Sequence, residues 1–123
     1  MDNGVIIRVL AGEHELVFIH KKYNNLTPPT GKIEEGESPL ETALRELKEE
    51  VNLTPRTIKS KGPIKFGEYE IFYFEVNIID VEEVGPTNME PNKHTNMQWI
   101  NTERMLLEES VSPLYRKFFE VFK

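Results

Sequence analysis

The segment from residue 31 to residue 53, GKIEEGESPLETALRELKEEVNL, constrains the fold more than any other part of the chain. Ser38 is a favoured N-cap residue, and Pro39 suits the first position of a helix. Glu41 lies three residues after Ser38 and completes a capping-box pattern. The segment therefore predicts an α-helix that begins at Pro39.

The end of this helix and its buried face are also marked in the sequence. Asn52 tolerates the left-handed backbone conformation that closes a helix, and Pro55 discourages continuation, so the helix is predicted to end near Val51. Apolar side chains recur at helical spacing and predict one face that packs on a core. These side chains are Leu40, Ala43, Leu44, Leu47 and Val51.

Glu46, Glu49 and Glu50 lie on one flank of the predicted helix. At about 100° per residue they spread over roughly 100° of arc, away from the apolar face. Neighbouring like charges repel, and a divalent cation would relieve that repulsion. Hard carboxylate oxygens, in a chain with no cysteine and three scattered histidines, favour Mg²⁺ or Mn²⁺ over zinc.

The wider pattern resembles the signature of the Nudix hydrolase family, and its flanking residues are most similar to the MutT-like branch. Gly31 and Glu37 precede Arg45-Glu46-Leu47 and Glu49-Glu50 with the spacing G-x5-E-x7-R-E-U-x-E-E-x-G-U, where U is a bulky aliphatic residue. The hexapeptide RELKEE alone is more typical of a solvated helix surface. The full pattern favours a site instead.

Two positions depart from the family pattern. Asn52 stands where the family usually has glycine, and Thr30 stands where many members have a glycine before Gly31. Asparagine is the next best residue after glycine in a left-handed helix cap. We therefore expect a less free backbone before the helix and an unchanged set of carboxylates.

The resemblance implies a set of metal ligands: the backbone carbonyl of Thr30 and the side chains of Glu46, Glu49 and Glu50. It also implies that Glu37 and Arg45 form a structural pair that steadies the loop against the helix. Positioning and charge neutralisation supply most of the catalysis in phosphoryl-type transfers. Among the coupled glutamates, Glu46 is our choice for the general base.

A second segment, MEPNK at residues 89–93 followed by Gln98-Trp99-Ile100, resembles a stretch of Nudix members that cleave nucleoside triphosphates. In those members a glutamate of this loop joins the metal site, so Glu90 is the candidate fourth ligand, against the alternative of an exposed loop acid. Lys21 and Lys22 are candidates for phosphate contact, although terminal lysines are more often solvated. Trp99 is a candidate for base stacking, although aromatic residues at strand spacing are more often core.

Composition limits the class of protein. A chain of 123 residues with 38% hydrophobic content suits one domain over residues 1–123. A net charge of −6 disfavours a long nucleic-acid interface but is compatible with a small nucleotide substrate. The start of the chain does not resemble a secretory signal, no run is apolar enough to span a membrane, and cysteine is absent, so we expect a cytoplasmic protein.

The remaining pattern predicts strands at residues 5–10, 16–21, 56–62, 69–79 and 97–100. Residues 81–96 are predicted to form a long loop, and a final helix from Ser112 is predicted to bury Leu114, Phe118 and Phe122. These elements indicate an α/β fold. The family resemblance makes it a Nudix-type α/β/α sandwich with a mixed β-sheet.

The leading hypothesis for function is hydrolysis of a nucleoside triphosphate to the monophosphate and pyrophosphate. The alternatives within the family are a dinucleoside polyphosphate, which Tyr69 weakly favours by its position, ADP-ribose or a nucleotide sugar. A non-catalytic nucleotide sensor is less favoured, because such members commonly lose carboxylates that this chain keeps. An acidic structural helix without a site would show no effect of Mg²⁺ on its melting temperature.

Overall fold

The computed structural model describes residues 3–78, 89–107, 111–113 and 115–117, apart from the side chains of residues 94, 95 and 106. Its strands are β1 (Gly4–Ala11), β2 (His14–His20), β3 (Leu26–Thr27), β4 (Thr30–Lys32), β5 (Lys59–Phe66), β6 (Tyr69–Asn77) and β7 (His94–Asn101). Its helices are α1 (Pro39–Val51) and α2 (Thr102–Leu106).

All seven strands belong to one mixed sheet. The order is β3-β2-β1-β6-β5, with β4 also paired to β1 and β7 also paired to β2. Strands β1 and β6 are parallel, whereas the other strand pairs formed by the described residues are antiparallel. The predicted α/β fold with a mixed sheet is confirmed.

The two faces of the sheet bury separate apolar cores. On one face, Val5, Ile7 and Val9 of β1 lie in the same buried cluster as Leu47 and Val51 of α1. Alternate residues of the strands point to the opposite face, where the buried cluster is Ile6, Val17, Leu26, Ile71, Tyr73, Met105, Val111 and Tyr115. Helix α1 is thus held by apolar packing on one side only, which leaves its other flank for polar chemistry.

The structure confirms both predicted ends of α1. Ser38 accepts a hydrogen bond from the backbone of Glu41, whose side chain accepts one from the backbone of Ser38. Asn52 closes the helix with a left-handed backbone at φ 57°. The predicted apolar face was partly wrong, because Leu40 and Leu44 are 45% and 37% exposed.

Several strand predictions need correction. The strand predicted at 56–62 lies at Lys59–Phe66, and β7 begins at His94, within the predicted long loop. Strands β3 and β4 and helix α2 were not predicted, because two, three and five residues carry no readable periodicity. Residues 81–88 of the predicted loop and the side chains Leu114, Phe118 and Phe122 lie outside the described residues.

A buried polar network on the face opposite α1 was also missed. Glu15 is fully buried, and its carboxylate accepts hydrogen bonds from Arg8 at 2.6 and 2.9 Å. The hydroxyl of Tyr115, which lies 100 residues away in sequence, also donates to Glu15. This network ties the segment around Tyr115 to the sheet, and a buried charge requires such partners.

Asn52 stands where the family usually has glycine, and its left-handed backbone conformation predicts the effect of replacing it. Asn52→Ala should destabilise the protein by about 1 kcal/mol, because a Cβ disfavours φ 57° in residues other than glycine and asparagine. Asn52→Gly should keep the wild-type stability. Urea unfolding would measure both, and an alanine variant as stable as wild type would contradict the role given to this residue.

Candidate active site

The loop before α1 lies close to the flank of the helix that carries the glutamates. The backbone N–H of Thr30 donates a hydrogen bond to Oε2 of Glu50 at 3.1 Å. A Cβ atom added to Gly31 would lie 2.2 Å from both Cγ and Cδ of Glu46. Only glycine allows this approach, which explains why the chain needs Gly31 where the loop crosses the helix.

Arg45 is the main link between the loop and the helix. Its Nε and Nη2 atoms donate to the two oxygens of Glu37 at 2.8 and 3.0 Å, and Nη2 also donates to the carbonyl of Lys32 at 3.1 Å. The predicted contact between Glu37 and Arg45 is therefore present. The hydroxyl of Thr42, which sequence reasoning missed, donates to Glu37 at 3.0 Å.

The hydrogen bonds from Arg45 change the acidity of Glu37. They are the largest cause that lowers the pKa of Glu37, which falls from 4.5 to about 2. Hydrogen bonds to the charged form of an acid favour ionisation in this way. Glu37 therefore stays a carboxylate at neutral pH.

The acids of α1 differ sharply in exposure. Glu50 is 3% exposed, the side chain of Glu46 is 13% exposed, and that of Glu49 is 53% exposed. Burial, followed by the charges of Glu46 and Glu90, raises the pKa of Glu50 well above its ordinary value. Burial also raises the pKa of Glu46. Both shifts show that burial outweighs the favourable interactions of these carboxylates, which for Glu46 include the charge of Arg45.

The structure brings Glu90 to these acids from a separate element. The backbone N–H of Met89 donates to the carbonyl of Glu50 at 2.9 Å, and the charge of Glu90 acts on both Glu46 and Glu50. The ammonium group of Lys93 lies 3.3 Å from Oε2 of Glu90. The sequence analysis did not single out Lys93. Its position three residues after Glu90 was the signal that could have indicated this ion pair.

The donor set fits a hard divalent cation, but its members are not gathered around one point. Among the residues that the structure describes, no group of three acidic or histidine side chains is already assembled for a metal ion. Nη1 of Arg45 holds Glu46 at 2.9 Å and Glu49 at 3.2 Å. A bound cation would compete with this guanidinium for both carboxylates, while the two bonds to Glu37 keep Arg45 in place. The groups that fit Mg²⁺ or Mn²⁺ are Glu46, Glu49, Glu50, Glu90 and the backbone oxygen of Thr30.

The predicted substrate residues fall in two places. Lys21 follows β2 and donates its backbone N–H to the carbonyl of Lys93 at 2.9 Å, which connects it to the loop of Glu90. The ammonium group of Lys22 lies 5.3 Å from the ring centre of Tyr23. Trp99 lies on β7 and is 38% exposed, so the favoured core interpretation of this residue was wrong.

A comparison with protein-family models agrees with this geometry. The NUDIX domain model matches residues 2–122, and the chain therefore belongs to the Nudix family. The Nudix domain and the similar hydrolases indicate a hydrolase that cleaves a diphosphate bond, as the sequence predicted. Nudix hydrolases generally use divalent metal ions and act on small nucleotide substrates. None of the described helices is long and apolar enough to cross a membrane.

One curated relative and two solved structures are similar to this chain. The asymmetrical bis(5'-nucleosyl)-tetraphosphatase of Caenorhabditis elegans is 42% identical over 52 residues, which are 41% of this chain and 38% of that protein. The chain thus matches about two fifths of that relative's length. The MutT NUDIX hydrolase of Burkholderia pseudomallei has a TM-score of 0.83 at 15% identity and covers 99% of this chain and 98% of its own. The MutT protein of Bacillus halodurans has a TM-score of 0.76 at 22% identity and covers 98% of this chain and 80% of its own.

Because Gly31 lies so close to Glu46, replacing Gly31 should affect activity and stability differently. In Gly31→Ala the new methyl group should displace the flexible side chain of Glu46, with a stability change within about 1 kcal/mol. Turnover should fall by about 100-fold, because a shift near 1 Å in a catalytic group has that effect. Initial rates and urea unfolding would measure the two quantities.

Gly12→Ala is the matched control for this change. Gly12 has φ 61° with no heavy atom within 4 Å of an added Cβ, so alanine should reduce stability by about 1 kcal/mol and leave turnover unchanged. Wild-type turnover in Gly31→Ala would show that the position of Glu46 is not limiting.

The Glu37–Arg45 pair generates a prediction about pH. The pKa of Glu37 is about 2 in the folded protein and 4.5 for an unperturbed glutamate, so the unfolded chain binds more protons between these limits. The pair therefore stabilises the fold above pH 4.5, and this stabilisation is lost as the pH falls toward 2. The melting temperature of Glu37→Gln should lie below that of wild type at pH 7, and the difference should shrink from pH 4.5 downward. A difference that is constant with pH would contradict this assignment.

Proposed function

We propose that the protein is a Mg²⁺-dependent nucleoside-triphosphate pyrophosphohydrolase, which releases a nucleoside monophosphate and pyrophosphate. The observation that carries the proposal is that Glu90, which precedes β7, lies near enough to α1 for its charge to act on both Glu46 and Glu50, while the backbone N–H of Met89 donates to the carbonyl of Glu50. A site that clamps a polyphosphate through metal ions needs carboxylates from more than one element. Glu90 supplies the second element.

The chain's own residues take distinct roles in this proposal. A divalent cation, when bound, supplies Lewis-acid polarisation of the phosphate oxygens and lowers the pKa of a nearby water. Glu46 accepts the proton of the attacking water, and the raised pKa of Glu46 suits a proton acceptor. Arg45 and Glu37 hold the loop against the helix, so that the acids stay in position.

The lysines at the end of β2 complete the proposed site. Lys21 is tied through its backbone to Lys93, which is itself paired with Glu90. We propose that Lys21 and Lys22 bind the phosphate groups of the substrate when these groups lie beside the acids. Positive charge beside the carboxylates would attract an anionic substrate to a chain whose net charge is −6.

A second candidate substrate is a dinucleoside polyphosphate. The relative from Caenorhabditis elegans that is 42% identical over 52 residues is a dinucleoside tetraphosphatase by name. ADP-ribose and nucleotide sugars remain the other family alternatives. A nucleotide sensor without catalysis is less well supported, because Glu46, Glu49 and Glu50 are all retained. The single domain over residues 1–123 and the cytoplasmic location stay predictions.

Identification of products would separate these substrates. The protein would be incubated with Mg²⁺ and, separately, with each common nucleoside triphosphate, several oxidised nucleotides, and diadenosine tetraphosphate. We expect monophosphate and pyrophosphate from at least one triphosphate. Cleavage of diadenosine tetraphosphate to ATP and AMP, with every triphosphate left intact, would favour the second candidate and contradict the first.

The ligand assignment of Glu50 leads to a mutational prediction. Glu50→Gln should lower turnover by more than about 100-fold, because even the outer partners of metal ligands contribute 10- to 100-fold. The folded structure should remain, since glutamine keeps an acceptor for the N–H of Thr30. Initial rates and circular dichroism would test both points.

Glu41→Gln is the matched control on the same helix. Glu41 is exposed and serves the capping box, in which glutamine also functions, so this variant should keep wild-type turnover. If Glu50→Gln retains full activity, Glu50 is not a metal ligand.

A further inference from the structure

A groove on the sheet is not explained by the acidic site. It has a volume of about 470 Å³, and residues of β2, β7, α2 and the turn before β3 line it. We name it the amide groove after Asn24, Asn25 and Gln98, which line it together with Trp99 and Arg104. Its volume is typical of pockets that bind small molecules.

The amide groove combines polar and apolar surface in a way that selects a class of ligand. Ile19, Leu26 and Ile100 contribute apolar surface, and each belongs to or packs on the buried cluster beneath. The amides of Asn24, Asn25 and Gln98 each offer both donors and acceptors. A planar ring that carries donors and acceptors on its edge matches this combination.

The charge of the amide groove excludes a different class of ligand. None of the described lining residues is acidic, and Arg104 and His14 are the described ones with basic side chains. A site for several phosphate groups needs more cationic groups than this, and a site for a metal ion needs carboxylates. The lining therefore favours an uncharged heterocycle.

The amide groove is connected to the acidic site through short stretches of backbone. Leu26 in its wall lies four residues before Thr30, a separation that an extended chain spans in at most about 14 Å. Ile19 lies two residues before Lys21, whose N–H binds the carbonyl of Lys93 beside Glu90. When the phosphates of a nucleotide lie beside the acids, its base is close enough to enter this groove.

We propose that the amide groove binds the nucleobase of the substrate, with Gln98 and Arg104 as residues that recognise it. This inference rests on the proposed hydrolysis of a nucleotide. Gln98 contributes hydrogen bonds to the edge of the base, and Arg104 contributes donors from the last turn of α2. Trp99 borders the same space and is the one tryptophan of the chain.

That single tryptophan allows a binding test that does not depend on turnover. The fluorescence of Trp99 would be recorded with EDTA present while nucleosides, nucleoside monophosphates or inorganic tripolyphosphate are added. N-acetyltryptophanamide at equal absorbance corrects for the inner-filter effect. We expect a saturable change with at least one nucleoside and its monophosphate, and no change with tripolyphosphate. No saturable change with any nucleoside, or an equal change with tripolyphosphate, would overturn the proposal.

Variants show whether the change arises from binding in the amide groove. Gln98→Ala and Arg104→Ala should each weaken the apparent dissociation constant by about 5-fold, the effect of losing one net hydrogen bond. Arg56→Ala is the matched control, because Arg56 is exposed and does not line the groove. Equal weakening in all three variants, or in none, would overturn the proposal.

Kinetics of Gln98→Ala distinguish this proposal from the proposed function. KM for the triphosphate should rise by about 5-fold with kcat within about 2-fold of wild type, the pattern of lost uniform binding. Turnover of a triphosphate without any fluorescence change would overturn base binding in the groove and leave the hydrolase function. A fluorescence change with no triphosphate cleaved would overturn triphosphate hydrolysis and leave base binding.

Discussion

Arg45 bonded to Glu37 at 2.8 and 3.0 Å is the interaction on which the arrangement of the site depends. The same guanidinium reaches the carbonyl of Lys32, so one side chain fixes both ends of the loop that leads into α1. Two parallel bonds define an orientation as well as a distance. The loop can therefore press Gly31 against Glu46 and keep the N–H of Thr30 on Glu50.

The second constraint is the excess of negative charge that this arrangement creates. Glu50 is buried beside Glu46 and Glu90, and Arg45 directs its Nη1 atom to Glu46 and Glu49. One guanidinium cannot neutralise so many acids and also serve Glu37. The proposed cation would supply the missing positive charge, and it would release Glu46 and Glu49 from Arg45 without disturbing the loop. Apolar packing of Leu47 and Val51 holds the helix against the sheet throughout.

The sequence predicted those parts of the molecule that local rules control. Ser38, Glu41 and Asn52 define both ends of α1 because capping depends on neighbouring backbone groups. Glu46 and Glu50 share a flank because helical spacing places them there. Exposure was harder to predict, since Leu40 and Leu44 have the same helical spacing as buried residues and yet are 45% and 37% exposed.

Contacts between distant segments could not be predicted from local pattern. Glu15 and Tyr115 are 100 residues apart, and nothing in either neighbourhood indicates that they meet. The amide groove likewise joins the turn at Asn24 with β7 and α2, which only the tertiary fold brings together. Glu90 was identified through family resemblance, and its position beside Glu50 became visible only in the folded chain.

Anomalous scattering from Mn²⁺ in crystals of this protein would show whether these acids bind a divalent cation. We expect an anomalous peak at about 2 Å from carboxylate oxygens of Glu50 and Glu46, with Arg45 still bonded to Glu37. Crystals grown in saturating Mn²⁺ that show no peak beside Glu50, and in which Arg45 still holds Glu46 and Glu49, would contradict this expectation.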